Sequence, residues 1–390
     1  MIYIVTFFLI SFFVVHFDIN KQGRNYDKVC FFFIMLYLIL MMGLRYRVGI
    51  DTLNYMELYD EKPDLFSLSY FDFSTAPEDP FYIILCAIAK TIGDDFFWIQ
   101  LLQMSIVNVS VFLFFYRYCL KKYTAVLLYY IITYFYFSTE IMRESLAIAC
   151  FLFSFGFLYE KKWWKYYLCA VAAFLFHSSA FFVFFIPCFM NLKFNRYFVG
   201  ILVGFVFLCI FYSNYIGDLA LFLAFTERML QKTEKYFLDE RFFPSVNLLI
   251  YQIGSFFILP LCLYAYFRKR ISDIRKYDSM MCLYMLISTM SIFFSISSRF
   301  RNYLICIYIM ILADIAGYIL CTQKKNKLLK LSVFFFLATF PSISGLFISP
   351  FSKYDSTIKN YHEWYPYHSI WDPQKERKRE DYWHWQFSHK

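Results

Sequence analysis

The chain reads as an all-α polytopic integral membrane protein, and three observations carry that reading. Hydrophobic residues make up 60% of its 390 residues and charged residues 17%, where a soluble domain carries about 25% charge. Long apolar runs recur, among them Val29–Leu44, Phe97–Tyr116, Leu248–Phe267 and Leu328–Ile348. As helices, such runs are of the length that crosses about 30 Å of hydrocarbon. The basic residues gather in short loops between the runs, which is the pattern that orients a membrane chain. A barrel would need short alternating strands instead.

The elements follow in order. Ile2–Phe17 begins directly after Met1, with no basic n-region and no small-residue cleavage site. It is expected to be a retained helix, not a signal peptide. The basic groups Lys21/Arg24/Lys28, Arg117/Lys121/Lys122, Lys161/Lys162/Lys165, Lys193/Arg196, Arg268–Lys276 and Lys324–Lys330 belong in the cytoplasm by the positive-inside rule. The acidic segment Arg45–Asp79 then faces outside. About ten full crossings plus two short or re-entrant elements satisfy these assignments. Phe81–Ile92 is too short to cross comfortably and must return to its own side. Tyr166–Met190 has basic loops at both ends, so two half-length helices are expected to meet near His177 and Ser178. Irregular backbone at membrane depth is tolerated only inside protein or beside a cavity, which marks His177 as a candidate site. Residues 1–348 thus form the transmembrane domain, with extracytoplasmic loops at 45–79 and 226–246. Residues 349–390 form an extracytoplasmic tail with Trp364, Trp371, Trp383, Trp385 and the basic run Lys375–Arg379. Those tryptophans read as membrane-interface anchors ahead of sugar platforms.

Several function classes drop out. No soluble domain of useful size remains, and the phosphate-loop pattern Gly-x-x-x-x-Gly-Lys-Ser/Thr is absent, so no nucleotide-driven engine is expected. The net charge of +9 sits mainly in loops, without an aromatic-interleaved basic stripe, which argues against nucleic acid. The eleven cysteines lie almost all in apolar runs and form no Cys-x-x-Cys pair, so they read as small hydrophobes. His362, His368, His384 and His389 offer no convincing ligand set, and no metal or other cofactor is expected.

On this topology Arg45, Arg47, Arg143, Arg299, Arg301 and His177 all fall at or near the outer face. An arginine costs roughly 2.5–3.5 kcal/mol at a helix centre, so something must offset it. Any one of them reads equally as an anchor snorkelling to headgroups. Five on the face that the positive-inside bias depletes favour an anionic ligand. The planar guanidinium binds phosphate oxygens bidentately, and two or three together suit a diphosphate leaving group. Glu140, Glu144 and Asp51 are candidates for orienting those guanidiniums, with Asp51 alternatively a turn residue after Gly49. A neutral His177 is able to take a proton from an attacking hydroxyl. Its alternative role is structural, holding the helix break with Ser178 and Ser179 as caps. A Ser–His nucleophile is disfavoured, because adjacent residues rarely face each other productively.

At these residues the chain resembles the EpsG-like proteins, Wzy-type polysaccharide polymerases of bacterial inner membranes. The landmarks are ordered. They are Gly43-Leu44-Arg45-Tyr46-Arg47-Val48-Gly49-Ile50-Asp51 with Tyr55, then Pro77-Glu78-Asp79-Pro80-Phe81-Tyr82, then Met142-Arg143-Glu144-Ser145-Leu146-Ala147. Lys165-Tyr166-Tyr167 follows, leading through Ala173 to Phe176-His177-Ser178-Ser179-Ala180; then come Ser298-Arg299-Phe300-Arg301-Asn302-Tyr303 and Tyr365-Pro366-Tyr367. Glu144 departs from the pattern, which usually has Gln after the Arg, and so does Ile50, where a small residue is common. The resemblance implies a GT-C-like fold and metal-independent glycosyl transfer at the outer face. Donor and acceptor would be glycans on polyprenyl diphosphate. Arg143, Arg299 and Arg301, with Tyr303 beside them, would hold the donor diphosphate. Arg45 and Arg47 would hold the second diphosphate or brace Asp51, and His177 would act on the acceptor hydroxyl. A flippase and a chain-length regulator are the expected neighbours in the membrane. The alternatives are an O-antigen-ligase-type transferase and, from another class, a flippase or transporter of lipid-linked sugars; a membrane acyltransferase is more remote.

Overall fold

In the computed structural model the described residues are 1–20, 25–73, 76, 78–211, 246–294, 297–322, 326–348 and 357–388. Among them the chain is helical throughout, and its one β-type pairing is an antiparallel bridge between Arg45 and Ser369. Six helices are long and apolar enough to cross a membrane: Ile2–Ile19, Phe97–Tyr118, Met142–Tyr159, Leu248–Arg268, Ser297–Cys321 and Leu328–Leu346. Shorter apolar helices span Pro80–Ile92, Trp163–Phe176, Ser178–Phe189 and Arg196–Phe211. The molecule is therefore a polytopic helical membrane protein. The expected ten crossings compare with six helices meeting that length and composition among the described residues. The loop expected at 226–246 lies outside the described residues but for Val246, as do Lys21, Arg24, Pro77, Lys324 and the tail's first residues, 349–356.

The chain divides into two compact units, one of Met1–Phe184 with Ile309–Lys390, the other of Phe185–Tyr308. In the first, Asp27–Gly43, Pro80–Ile92 and Met142–Tyr159 pack on Phe97–Tyr118. Met142–Tyr159 and Trp163–Phe176 form a tight helical hairpin, and Pro80–Ile92 lies against its second arm. The hairpin turns at Lys161, whose φ is +54°. Trp163–Phe176 stops where the sequence predicts. His177 takes extended backbone (φ −160°, ψ 130°), while its N–H still donates to the Ala173 carbonyl at 3.0 Å. A 3₁₀ segment, Ser178–Phe189, continues from the break.

The tail does more than its composition suggests. Residues 357–388 strap back over the loop 44–51. Ile370 donates to Leu44 O at 3.0 Å, Tyr46 to His368 O at 2.9 Å, and Gly49 to Glu363 O at 2.8 Å. Arg379 is fully buried and donates to the carbonyls of Arg47, His362 and Pro366. Arg47 meets Glu380 through two bonds of 2.8 and 2.7 Å. The tryptophans change role accordingly. Trp364 Nε1 donates to Thr139 Oγ1 at 2.9 Å, and Trp383 and Trp385 pack on a cluster of Ile50, Ile358 and Tyr382. Only Trp371 of the four is largely exposed. They anchor the tail to protein, because the neighbouring Ile50 and Thr139 offer apolar surface and an acceptor that composition does not reveal.

Candidate functional site

Three helix ends meet in the first unit. The hairpin brings two of them together. Counting about fourteen residues up each arm from its turn, at 1.5 Å per residue, sets His177 level with the first turn of Met142–Tyr159. There Glu144 Oε2 stands 3.8 Å from His177 Nε2. The third end is the start of Pro80–Ile92. Pro80 fixes the first helical turn, and Asp79 precedes it as N-cap, but the Asp79 side chain makes no capping bond. It points to His177 instead, with Oδ2 at 3.3 Å from Nδ1. The imidazole is thus 7% exposed and flanked by one carboxylate at each nitrogen. With Asp79 accepting from Nδ1–H, Nε2 is the nitrogen that faces Glu144, and an imidazolium formed there would lie between two carboxyl groups.

The residue before Asp79, Glu78, is in a buried ion pair. Lys62 Nζ contacts Glu78 Oε2 at 2.7 Å, both side chains buried, and Lys90 Nζ donates to the Asp60 and Lys62 carbonyls. A paired buried charge tolerates desolvation where a lone one does not.

Arg143 lies one residue from Glu144, on the first turn of the same helix. Its guanidinium carbon is 5.8 Å from the centre of the Tyr55 ring, a cation–π approach. Its charge also acts on Tyr82 and Asp79. Arg143 and His177 therefore share Asp79 as a neighbour. Tyr55 in turn lies in the field of Arg143, Asp51 and Glu140, so the cluster continues toward the loop beneath the tail.

Beneath the tail the expected ligands have other partners. Arg45 was expected to bind a diphosphate, but its guanidinium is 1% exposed. It donates to Val48 O at 3.3 Å, Ser138 O at 2.7 Å, Thr52 Oγ1 at 3.3 Å and to Met42 O. Every one of these is an internal acceptor, so Arg45 stitches the 42–52 loop to the helix ending at Thr139. Burial lowers its pKa to about 10, which leaves it cationic at neutral pH opposite Glu140. Glu140 was expected to orient guanidiniums. Its two oxygens instead accept the N–H groups of Ile50 and Asp51, each at 3.0 Å, at the start of the Ile50–Asp60 helix. A carboxylate there also complements the helix dipole. Arg47 faces Glu380, as described, in place of the expected Asp51. Asp51 Oδ1 accepts from Gln386 Nε2 of the tail at 3.4 Å.

Glu140, Asp51 and Glu363 form an acidic group in which Glu140 is buried and the other two are half-buried. Burial first, then the Asp51 charge, raises the Glu140 pKa; burial first, then the Glu140 charge, raises that of Glu363 well above its ordinary value. Gly49 permits this close approach. Its φ is +99°, and a Cβ there would overlap Thr139 and come within 2.8 Å of Thr52 Oγ1.

Arg299, Arg301 and Tyr303 belong to the second unit. There Arg301 donates to Ser291 Oγ at 3.1 Å and its guanidinium stacks 4.1 Å from the Phe256 ring centre. Arg299 is exposed and Tyr303 is buried. Among the described residues, no group of three or more His, Cys, Asp or Glu side chains is arranged to hold a metal ion.

The residues that sequence reasoning missed are Asp79, Tyr55 and the tail's Glu363, Arg379 and Glu380. Asp79 had a readable signal: an acid directly before a helix-starting proline, two residues from aromatic Phe81. The tail residues had none, because their partners in the 44–51 loop and at Glu140 lie about 220 to 330 residues away in the chain.

No curated protein and no solved structure matches the chain. The sequence matches the EpsG family over residues 28–369. That span takes in every landmark from the Arg45 loop to Tyr367, the hairpin with its broken end, and both arginine pairs. On that coverage the chain belongs to the EpsG family, a family of Wzy-like polymerases.

Proposed function

We propose that this protein polymerises polyprenyl-diphosphate-linked oligosaccharide repeat units into a long surface polysaccharide. The transfer runs at the outer face of the bacterial inner membrane and, as the family resemblance implies, without a metal. The observation that carries the reading is the convergence of three helix ends on His177, with Asp79 at 3.3 Å, Glu144 at 3.8 Å and Arg143 beside them.

In this reading Asp79 fixes the tautomer of His177. Nε2 takes the proton from the acceptor sugar's hydroxyl as that oxygen attacks the anomeric carbon of the donor. The bond from the anomeric carbon to the diphosphate breaks, and its electron pair leaves with the diphosphate. Arg143 stabilises that developing charge. Arg299 and Arg301 remain diphosphate-binding candidates on sequence grounds, since the planar guanidinium fork suits phosphate oxygens. Arg45, Arg47, Glu140 and Asp51 serve as positioning residues that shape the loop carrying Tyr55. A single displacement inverts the anomeric configuration. A flippase supplies the repeat units and a chain-length regulator acts on the product.

The test is complementation of cells lacking the gene, read by gel analysis of surface polysaccharide and lipid-linked intermediates. Single repeat units on lipid should accumulate, and wild type should restore the ladder. Arg143→Ala and His177→Ala should insert normally yet yield no long polymer. Normal chain lengths from both variants would reject the site. Full-length glycan stranded on its lipid in the deletion strain would reject polymerisation in favour of ligation.

A further inference from the structure

The second unit contains a cavity of about 480 Å³ that the proposed reaction does not use. Its walls come from residues 190–195 and 268–279. Four apolar segments end or begin here: Ser178–Phe189 ends, Arg196–Phe211 begins, Leu259–Arg268 ends and Asp278–Phe293 begins. A cavity at the ends of apolar helices opens at the level of the membrane surface. The loops around it are the basic ones, so by the positive-inside rule that surface is cytoplasmic.

The cavity is built with charge. Asp278 is its only acid, and that carboxylate is already engaged: Arg268 Nε reaches both oxygens, at 2.8 and 3.0 Å, and the Tyr264 hydroxyl donates to Oδ1. This pairing makes Arg268 and Asp278, both half-buried, an internally neutral floor. Lys193, Arg275 and Lys276 also line the cavity and are exposed. Arg275 is oriented by its Nε bond to Arg268 O at 3.0 Å, and Lys276 sits 4.8 Å from the Tyr277 ring centre. Three cations around one concavity, with the nearest acid satisfied, repel each other unless an anion joins them. Clustered Lys and Arg at the cytoplasmic edge of membrane helices recognise phosphate-bearing headgroups for this reason.

We propose that this cavity binds a phosphate-bearing anion at the cytoplasmic membrane surface, through Lys193, Arg275 and Lys276. The source is either an anionic phospholipid headgroup or a soluble phosphate compound. Full-length protein in detergent would be challenged with phosphatidylglycerol, phosphatidylcholine and inorganic pyrophosphate, and bound molecules counted by native mass spectrometry. Lys193→Ala/Lys276→Ala tests the site, and Lys161→Ala/Lys162→Ala is a charge-matched control elsewhere on the basic face. Arg275→Gln gives a second, single-site variant should the double one fold poorly. Preferential retention of phosphatidylglycerol, falling about fivefold per lysine removed, assigns a lipid headgroup. Pyrophosphate binding that falls likewise, without lipid preference, assigns a soluble phosphate. Equal binding by wild type, the double variant and Arg275→Gln overturns the proposal. So does an equal loss in the Lys161/Lys162 control.

Discussion

At the scale of single residues, the useful distinction is between an arginine buried among structural acceptors, as Arg45 is, and one that stands beside reactive groups, as Arg143 does. Removing Arg45 would leave Glu140 buried without its cation and four acceptors without a donor, so Arg45→Ala should cost about 3–5 kcal/mol of stability. Thermal unfolding of the detergent-solubilised protein reads this directly; an unchanged midpoint would show that the guanidinium is not structural. Arg143→Ala should leave that midpoint nearly unchanged while abolishing polymer. His177→Ala should lower polymerisation by about 10²–10⁴-fold. Asp79→Asn should lower it less, because it disturbs the tautomer without removing the base. Combining the two should add nothing to His177→Ala, since both act through one ring. A further fall in the double variant would separate Asp79 from His177. The sequence marked Arg143, His177 and Glu144 because charge in an apolar setting needs a reason. It passed over Asp79, whose role depends on a helix from another part of the chain lying beside His177.

At the scale of elements, the hairpin of Met142–Tyr159 and Trp163–Phe176 converts chain distance into contact. Its register puts Glu144 and His177 level, and that register follows from a short turn between two apolar helices. The loop at 44–51 is the other element with a sharp requirement. Arg47 at φ +51° and Gly49 at φ +99° both adopt left-handed backbone, the first held there by Glu380 and by Arg379 on its carbonyl. Gly49→Ala meets both a disfavoured backbone angle and Thr139, so it should destabilise by more than about 1 kcal/mol. The expected sign is a lower unfolding midpoint together with faster proteolysis of the tail; a variant as stable as wild type would show that the loop can relax. The helix break at His177 was legible, because basic loops at both ends of Tyr166–Met190 argue against a single crossing. The loop's shape was not, because left-handed backbone at an arginine leaves no local trace.

At the scale of the whole molecule, the tail and the 44–51 loop behave as one acid-sensitive assembly. Glu363 and Glu140 have raised pKa values in the docked state, from burial first; the Asp51 charge comes second for Glu140, and the Glu140 charge comes second for Glu363. A docked state with raised carboxyl pKa values binds more protons than the undocked one. Docking is then strongest below the ordinary glutamate value of 4.5 and weakens as pH rises through the docked-state values. Hydrogen exchange across residues 357–388 between about pH 5 and 9, with intrinsic rates corrected, should show protection falling. Glu363→Gln should flatten the profile. Protection that is constant or rises with pH in wild type would contradict the assignment.

Composition and charge placement were enough to determine a helical membrane chain, the break at His177 and a short set of candidate residues. They suffice because lipid imposes its demands on every residue separately: apolar length to cross, cost for each buried charge, and no unsatisfied backbone. Tertiary structure alone decided which of those charges are already paired. It turned Arg45 inward, gave Arg47 to Glu380, set Asp79 on His177, and laid the tail's tryptophans on protein. Those outcomes rest on pairings between distant segments, whose energies depend on what arrives beside a residue and not on the residue's own neighbours in the chain.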